Sequence, residues 1–293
     1  MIDYRDIIKD RELRLKIINC LGFIPTKPYL KMVYWIKTGK KLNLENPVTL
    51  CDKINWLKVN DIHEEYTQLA DKVAVREHIK KVLGEEYLFP IYGAYDHYSD
   101  IDFDSLPDKF VLKCNHDSAS VHVIQDKSKM DHKKLEKFYE GRLKINAYNM
   151  GREYPYKNIK PKIVVEKFMV PDGECDINDY KFFCFNGKPE LLLVASDRST
   201  DMRTDFYDMD FNHLDLRRIY AFSDKGIEKP EKFEEMKEIA AKLSKDIKLV
   251  RIDLYEVGGK IYFGEYTFFP AGGFWPFKPE KYEKIYGDMV NLG

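Results

Sequence analysis

Four residues between Val250 and Thr267 have the types and spacing to hold a divalent cation beside a phosphate. Arg251 and Asp253 lie two apart in the β-rich run Val250-Arg251-Ile252-Asp253-Leu254-Tyr255. Glu265 and Thr267 lie two apart in a second run, Ile261-Tyr262-Phe263-Gly264-Glu265-Tyr266-Thr267. Side chains alternate faces along a strand, so each pair shares a face. Gly258-Gly259 stands between the runs and reads as the turn of an antiparallel hairpin. Two carboxylates, a guanidinium and a hydroxyl on one patch of sheet suit magnesium. That hard cation takes oxygen ligands, keeps waters and borrows further ligands from nucleotide phosphates. Register decides whether the patch exists. A two-residue turn pairs Asp253 with Gly264 and puts Glu265 on the far face. A three-residue loop, Gly258-Gly259-Lys260, or an equivalent bulge pairs Asp253 with Glu265 and Arg251 with Thr267. Otherwise the same residues form a solvated polar face.

Residues 267–274 follow directly and are rich in aromatics and glycine. Consecutive small residues let backbone N–H groups approach an anion. Phe268, Phe269, Phe274, Trp275 and Phe277 either enter the core, the commoner fate of such rings, or wall a sugar or nucleotide.

Other elements must bring charge to this hairpin. Residues 66–83 read as one helix with an apolar face of Leu69, Val73, Val75, Ile79, Val82 and Leu83, ended by Gly84. Lys72 falls in its first turns, solvated or within reach of a phosphate. Residues 109–114 form a strand, 115–120 a small polar loop and 121–124 a second strand, the layout of a phosphate-covering flap without a P-loop pattern. Residues 161–169 read as a buried strand, with a turn at Asp172-Gly173. Strands 179–185 and 189–194 flank Asn186-Gly187, a strong hairpin signal. Lys181 shares a face with Phe183 and Phe185, points inward and needs an anionic partner. An amphipathic helix covers 233–243. Asp208-Met209-Asp210 is an Asp-x-Asp motif of the kind found in sugar-nucleotide enzymes. It lies in an acidic stretch with no apolar strand before it and reads as surface.

The chain's 293 residues are enough for two joined lobes or one mixed domain, and a net charge of −1 with 33% charged residues carries no signature of nucleic-acid binding. Five scattered cysteines without a Cys-x-x-Cys pair read as reduced structural thiols. No apolar run reaches the roughly twenty residues of a membrane span, and residues 1–10 lack a signal-peptide core, so the expected location is the cytoplasm. Ten Lys and Arg stand against three acids between Arg5 and Lys41. They read as a solvated helical face, with weak peripheral contact to a membrane as the alternative.

Taken in order, these pieces resemble the ATP-grasp superfamily, and within it the branch named after the teichuronopeptide biosynthesis protein TupA. The resemblance spans roughly residues 30–290. It is carried by Asn46-Pro47-Val48-Thr49-Leu50 with Lys53-Ile54-Asn55-Trp56-Leu57, Asp71-Lys72-x-x-Val75-Arg76, and Leu106-Pro107-Asp108-Lys109-Phe110-Val111-Leu112-Lys113. The run from Asp179-Tyr180-Lys181 to Asn186-Gly187-Lys188-Pro189 and the pattern Gly264-Glu265-x-Thr267 complete it. It implies an α+β ATP-grasp fold, two lobes clasping ATP, with a helical region over 1–60, a first lobe over 61–165 and a second over 166–293. It implies contact of Lys113 with the α-phosphate and of Lys181 with the nucleotide or the transferring phosphate, and leaves Lys72 as a possible phosphate contact. Ser118 and Ser120 would close over the phosphates. The hinge Glu166, Lys167, Phe168 and Met169 would hold adenine. Asp253, Glu265 and Thr267 would bind Mg2+, with Arg251 near the γ-phosphate or acyl phosphate. Thr267 stands where the broad superfamily has a metal-ligand asparagine.

The activity implied is ATP-dependent carboxylate–amine ligation through an acyl phosphate. Its partners would be a small carboxylate, such as an amino acid, and an amine-bearing or uronic sugar, in capsule or other cell-envelope polysaccharide synthesis. A kinase of the same fold and a glycosyltransferase are the alternatives, with a non-catalytic nucleotide-binding module disfavoured by the intact ligand set.

Overall fold

Antiparallel pairing builds two sheets, and the charged residues of interest lie where they meet. The computed structural model describes residues 11–118, 120–171 and 176–293, with only the backbone of Arg11 and Glu12. The N-terminal part is helical: α1 (Arg11–Cys20), α2 (Thr26–Thr38), α3 (Leu50–Asn60), α4 (Glu65–Ala70) and α5 (Val75–Val82). Helix α3 starts at a capping box. The Thr49 hydroxyl accepts the Asp52 N–H at 3.1 Å, and the Asp52 carboxylate accepts the Thr49 N–H at 3.3 Å. This gives a physical reason for threonine and aspartate at those two positions.

The expected single helix over 66–83 is two. Asp71 adopts an extended backbone at φ −77°, ψ 114°. Its carboxylate accepts the Val73 N–H at 2.8 Å and the Asn115 side-chain amide at 2.9 Å. A short acidic side chain that bonds its own backbone offers the chain an alternative to the helix, and here it wins. The Lys72 N–H turns to the Asn115 carbonyl at 3.3 Å, so Lys72 leaves the helix surface.

The first sheet contains β1 (Ile91–Tyr95), β2 (Phe110–Cys114), β3 (His122–Ile124) and β4 (Ile163–Lys167), in the order β1-β4-β2-β3. Strand β4 runs across residue 165, so Glu166 and Lys167 belong to this sheet. Helix α6 (His132–Leu143) packs Leu135 and Tyr139 against Phe110, Leu112 and Val165. The short α7 (Tyr148–Gly151) follows.

The second sheet has six strands, in the order β10-β9-β5-β6-β7-β8. They are β5 (Asp179–Phe185), β6 (Lys188–Ser196), β7 (Arg203–Tyr207), β8 (His213–Leu214), β9 (Leu249–Val257) and β10 (Lys260–Thr267). Asn186 and Gly187 have φ of 50° and 79°, the left-handed pair that a two-residue hairpin turn requires. Helix α8 (Phe233–Leu243) buries Phe233, Met236, Ile239, Ala240 and Leu243 in the same core as Phe182, Ile252 and Leu254. A final helix, α9 (Lys281–Met289), returns toward α3. Its buried Glu283 accepts the Cys51 N–H at 2.9 Å and the Phe277 N–H at 2.8 Å.

Two local expectations change. Asp208 does follow a buried strand, β7, with Phe206 and Tyr207 in the core. Its carboxylate accepts the N–H groups of Asp210 and Asn212 at 3.0 and 2.8 Å, closing the β7–β8 turn. The aromatic wall is mostly core: Phe268, Phe269, Phe274 and Phe277 are buried, with Phe268 stacked on Tyr66 at 4.2 Å. Phe269 alone of the five also lines a cavity, the one beside Lys181 and Arg251. The Asp172-Gly173 turn and Cys175 lie outside the described residues.

Candidate functional site

The β9–β10 hairpin reaches the cation-binding register through a bulge. Its turn has two residues, Gly258 and Gly259, with Val257 opposite Lys260. The register then shifts between Phe263 and Glu265, so that Asp253 faces Glu265 and Arg251 faces Thr267. Gly264 is the extra residue. A Cβ there would meet the Tyr255 ring at 2.8 Å and the Asp253 carbonyl oxygen at 3.0 Å, which explains glycine at the bulge.

Strand β5 adds Lys181 directly across from Asp253. The Lys181 ammonium donates to Asp179 and to Asp253 at 2.5 Å each. Arg251 donates to both Asp253 oxygens at 2.6 and 2.7 Å, to Thr267 Oγ1 at 3.0 Å and to Glu265 at 3.3 Å. Arg198 donates to Asp179 at 2.9 Å, and the Tyr255 hydroxyl donates to the same oxygen at 3.1 Å. Asp179 Oδ1 is buried without a partner among the described residues.

Electrostatics follow from this crowding. Burial pushes the Glu265 carboxyl up, but Lys72, Arg251, Lys181 and Lys113 outweigh it and bring it down to about 2. Burial works against ionisation of Asp253, and the pull of Arg251 and Lys181 opposes it. Burial also weakens the charge on Arg251, yet Asp253 and Glu265 hold the guanidinium above its ordinary range. Four cations (Lys72, Lys181, Arg198 and Arg251) thus stand against three carboxylates (Asp179, Asp253 and Glu265). The excess positive charge suits an anionic ligand.

The first sheet supplies the facing side. Lys113 pairs with Glu166 at 2.6 Å across β2 and β4. Lys72 donates to the Asp117 carbonyl at 2.6 Å and approaches Glu265 at 3.5 Å, joining the β2–β3 loop to the hairpin. That loop is braced from beneath by a buried Asp117–Arg142 ion pair. His116 is buried, its Nε2 has no hydrogen-bond partner among the described residues, and burial lowers its pKa against the pull of Asp117.

A cavity of about 420 Å³ opens beside the cluster. It runs from Lys181, Arg251 and Glu265 past Phe183 to Arg218 and Glu153, and does not reach the Lys113–Glu166 pair. Arg218 donates Nε–H to the Trp275 carbonyl at 2.6 Å and lies 4.2 Å over the Phe277 ring. The floor is the Pro270–Gly273 turn. Lys58 donates to the Gly272 carbonyl at 2.7 Å and Asn55 to the Gly273 carbonyl at 2.8 Å. A Cβ on Gly273 would meet Ile54 at 2.6 Å.

The sequence profile of the TupA-like ATP-grasp family matches residues 52–291, which contain every side chain of this cluster. The chain belongs to the TupA-like ATP-grasp family. Solved structures similar to this TupA-like chain include D-alanine–D-alanine ligase from Bacillus anthracis, at 17% identity over 76% of this chain and 66% of that one, TM-score 0.45. The same ligase from Helicobacter pylori has 14% identity over 76% and 61%, TM-score 0.40. A RimK domain ATP-grasp protein from Sphaerobacter thermophilus has 11% identity over 78% and 69%, TM-score 0.42. The chain spans 54 to 66% of the length of the D-alanine–D-alanine ligases it matches. A comparison with curated proteins finds no match to the sequence.

Of the residues singled out in the TupA-like pattern, the structure gathers Lys72, Lys181, Arg251, Asp253, Glu265 and Thr267 into one cluster and joins Lys113 to Glu166. Ser118 lines the cavity. Ser120 instead turns under the loop, accepting the Cys114 N–H at 2.8 Å and donating to Asp117 at 2.5 Å. The Lys167 N–H is committed to the Pro90 carbonyl at 2.9 Å, so that hinge group is not available to a base without rearrangement. Phe168 lies 6.0 Å beneath the Lys109 ammonium, and Met169 follows it half-buried. Sequence reading missed Asp179, Arg198 and Arg218. Asp179 had a signal, since it shares a face with Lys181 two residues on. Arg198 and Arg218 sit in irregular segments where no period predicts a direction.

The donor set at the hairpin has the chemistry magnesium takes, two carboxylates and one hydroxyl on one face with the rest of the shell left to water and phosphate oxygens, and Asp253, bonded at both oxygens to Arg251, would have to release those bonds to join it. Among the described residues, no group of three or more His, Cys, Asp or Glu gathers into an all-protein metal cage.

Proposed function

We propose that the protein is an ATP-dependent carboxylate–amine ligase acting on an amino sugar or uronic acid in bacterial surface-polysaccharide synthesis. The observation that carries this reading is the cationic cluster of β5, β9 and β10, which faces Lys113 and Glu166 on one side and a cavity on the other. We read residues 1–60 as a helical N-terminal region and 61–165 and 166–293 as the two lobes, with the boundary moved past Lys167 because β4 pairs to its end in the first sheet.

In this reading Glu166 and the segment 166–169 hold adenine, and Lys113 exchanges its bond to Glu166 for the α-phosphate. Ser118 lies over the phosphates, with Lys72 beside them. Asp253, Glu265 and Thr267 would hold Mg2+, which would supply neutralisation of phosphate charge. Lys181 and Arg251 are poised at the γ-phosphate. They stabilise charge as a carboxylate oxygen of the acid attacks phosphorus and the bond to ADP breaks. Phosphoryl transfer depends mainly on positioning and charge neutralisation, which such a cluster supplies without an enzyme nucleophile. The amine then attacks the acyl carbon, loses its proton, and phosphate leaves with the carbon–oxygen electron pair. Arg218 offers a cation for an acidic group of the substrate, and Phe183 an apolar surface for a sugar face.

The test is release of ADP and free phosphate in acid-only, amine-only and paired mixtures of amino acids, uronic acids and amino sugars. Ligation predicts both products only with the pair. A stable phosphorylated product from one substrate would instead make the protein a kinase.

A further inference from the structure

Residues 13–44 contain seven Lys and Arg and not one Asp or Glu, in a chain whose net charge is −1; the rest of the protein therefore carries −8. The same segment displays large apolar side chains to solvent. Phe23, in the turn before α2, is 81% exposed and Trp35 is 61% exposed; Ile17, Met32 and Ile36 are exposed as well. In α2 the inward face is core, with Tyr29, Leu30 and Tyr34 buried. Pro28, Lys31, Met32 and Trp35 follow at i, i+3, i+4 and i+7 and make one outward stripe, with Ile36 and Lys27 at its borders. Lys16, Lys27, Lys31 and Lys41 are exposed and have no ion pair among the described residues. Lys40 is paired with Glu280 at 2.6 Å, and Lys37 turns inward over the Phe274 and Trp275 rings.

We propose that α2 and the turn carrying Phe23 form a docking surface for an anionic lipid membrane. A helix that lies in the interface presents aromatic and aliphatic side chains to the acyl boundary and lysines to the headgroups. This face has both. Charge selects the occupant. A second copy meeting this face with its own would set lysines against lysines, and a nucleic acid would leave Phe23, Met32 and Ile36 without a use. The carboxylates of the remaining chain favour turning only this side toward a negative surface. No described helix is long and apolar enough to cross a membrane, so contact would be peripheral. The inference is independent of the ligase reading.

The test is co-sedimentation of the full chain with vesicles of phosphatidylcholine alone and of phosphatidylcholine with phosphatidylglycerol. Partition into the anionic vesicles should exceed that into neutral ones by at least about tenfold and fall as salt is raised. Each lysine near such a surface contributes about fivefold, so Lys27→Glu with Lys31→Glu should lose at least about tenfold. Phe23→Ser with Trp35→Ser should lose a similar factor by removing the inserted rings. Circular dichroism and Mg-ATP affinity should be unchanged in both variants. In the unmodified chain, Trp emission should shift to the blue on anionic vesicles, and Trp35→Phe should remove the shift while Trp56 and Trp275 remain. Equal partition into both vesicle types, or full binding by the Phe23/Trp35 variant, would overturn the proposal. So would self-association by light scattering that the same substitutions abolish, which would make the face a contact between copies.

Discussion

Lys181→Met should destabilise the protein as well as weaken nucleotide binding. Lys181 lies between Asp179 and Asp253, each 1% exposed, and donates to both at 2.5 Å. Removing one partner of a buried ion pair costs about 3–5 kcal/mol when the other charge is left alone. Here neither carboxylate is alone. Asp253 keeps two hydrogen bonds from Arg251, and Asp179 keeps those from Arg198 and Tyr255. Charged hydrogen bonds of this kind are worth about 1.5–3 kcal/mol each, so the surviving ones cut the loss to about 2–3 kcal/mol. Urea denaturation at neutral pH measures it. The double variant Lys181→Met with Asp179→Asn should recover part of the loss, because one uncompensated charge disappears. Stability of Lys181→Met within about 0.5 kcal/mol of the parent would refute the counter-ion role. So would a double variant weaker than the sum of the two single ones.

Gly264→Val should cost about 1–3 kcal/mol in the same assay, since the new Cβ meets the Asp253 carbonyl and β9 must shift; wild-type stability would contradict the bulge. Glu265 is held at about 2, below its ordinary value of 4.5. It therefore stabilises the fold at neutral pH, and that contribution, about 3 kcal/mol, is lost as pH falls from 4.5 through 2. Glu265→Gln should flatten acid unfolding over that window, and an unchanged profile would remove the carboxylate from the ion cluster. Arg218→Met should raise KM for the acidic substrate at least about tenfold and leave KM for ATP within about twofold. Equal effects on both would place Arg218 outside the second-substrate cavity.

Much of this site is legible because strands have a strict period. Arg251, Asp253, Glu265, Thr267 and Lys181 sit on regular β-structure, so their shared faces follow from counting once the bulge at Gly264 is allowed. The sequence marks the need for an extra residue but does not say whether the turn or the strand carries it. Close packing of Gly264 against Tyr255 and Asp253 decides, and that contact is tertiary. Continuous apolar spacing over 66–83 places Lys72 on the surface of a single helix. Asp71 breaks the helix by bonding Val73 and Asn115, and the second partner is forty-four residues away. Ser120 has the composition of a phosphate-facing loop residue, yet the buried Asp117–Arg142 pair draws it inward. The aromatic residues after β10 could be wall or core from sequence alone. Phe268 packs on Tyr66 and Phe277 on Phe206 and Tyr286, Phe269 joins the same core, and Phe274 enters the cluster of Tyr29, Tyr34 and Cys51, so four of the five are core.

The central claim is a Mg-ATP site between the two sheets, and calorimetric titration with a non-hydrolysable ATP analogue tests it most directly. The account predicts one site per chain that requires Mg2+. Lys113→Met should weaken affinity at least tenfold, about 1.4 kcal/mol, and Glu265→Gln should remove the magnesium requirement along with most of the affinity. No binding with Mg2+ present, or equal affinity in the parent and both variants, would contradict it.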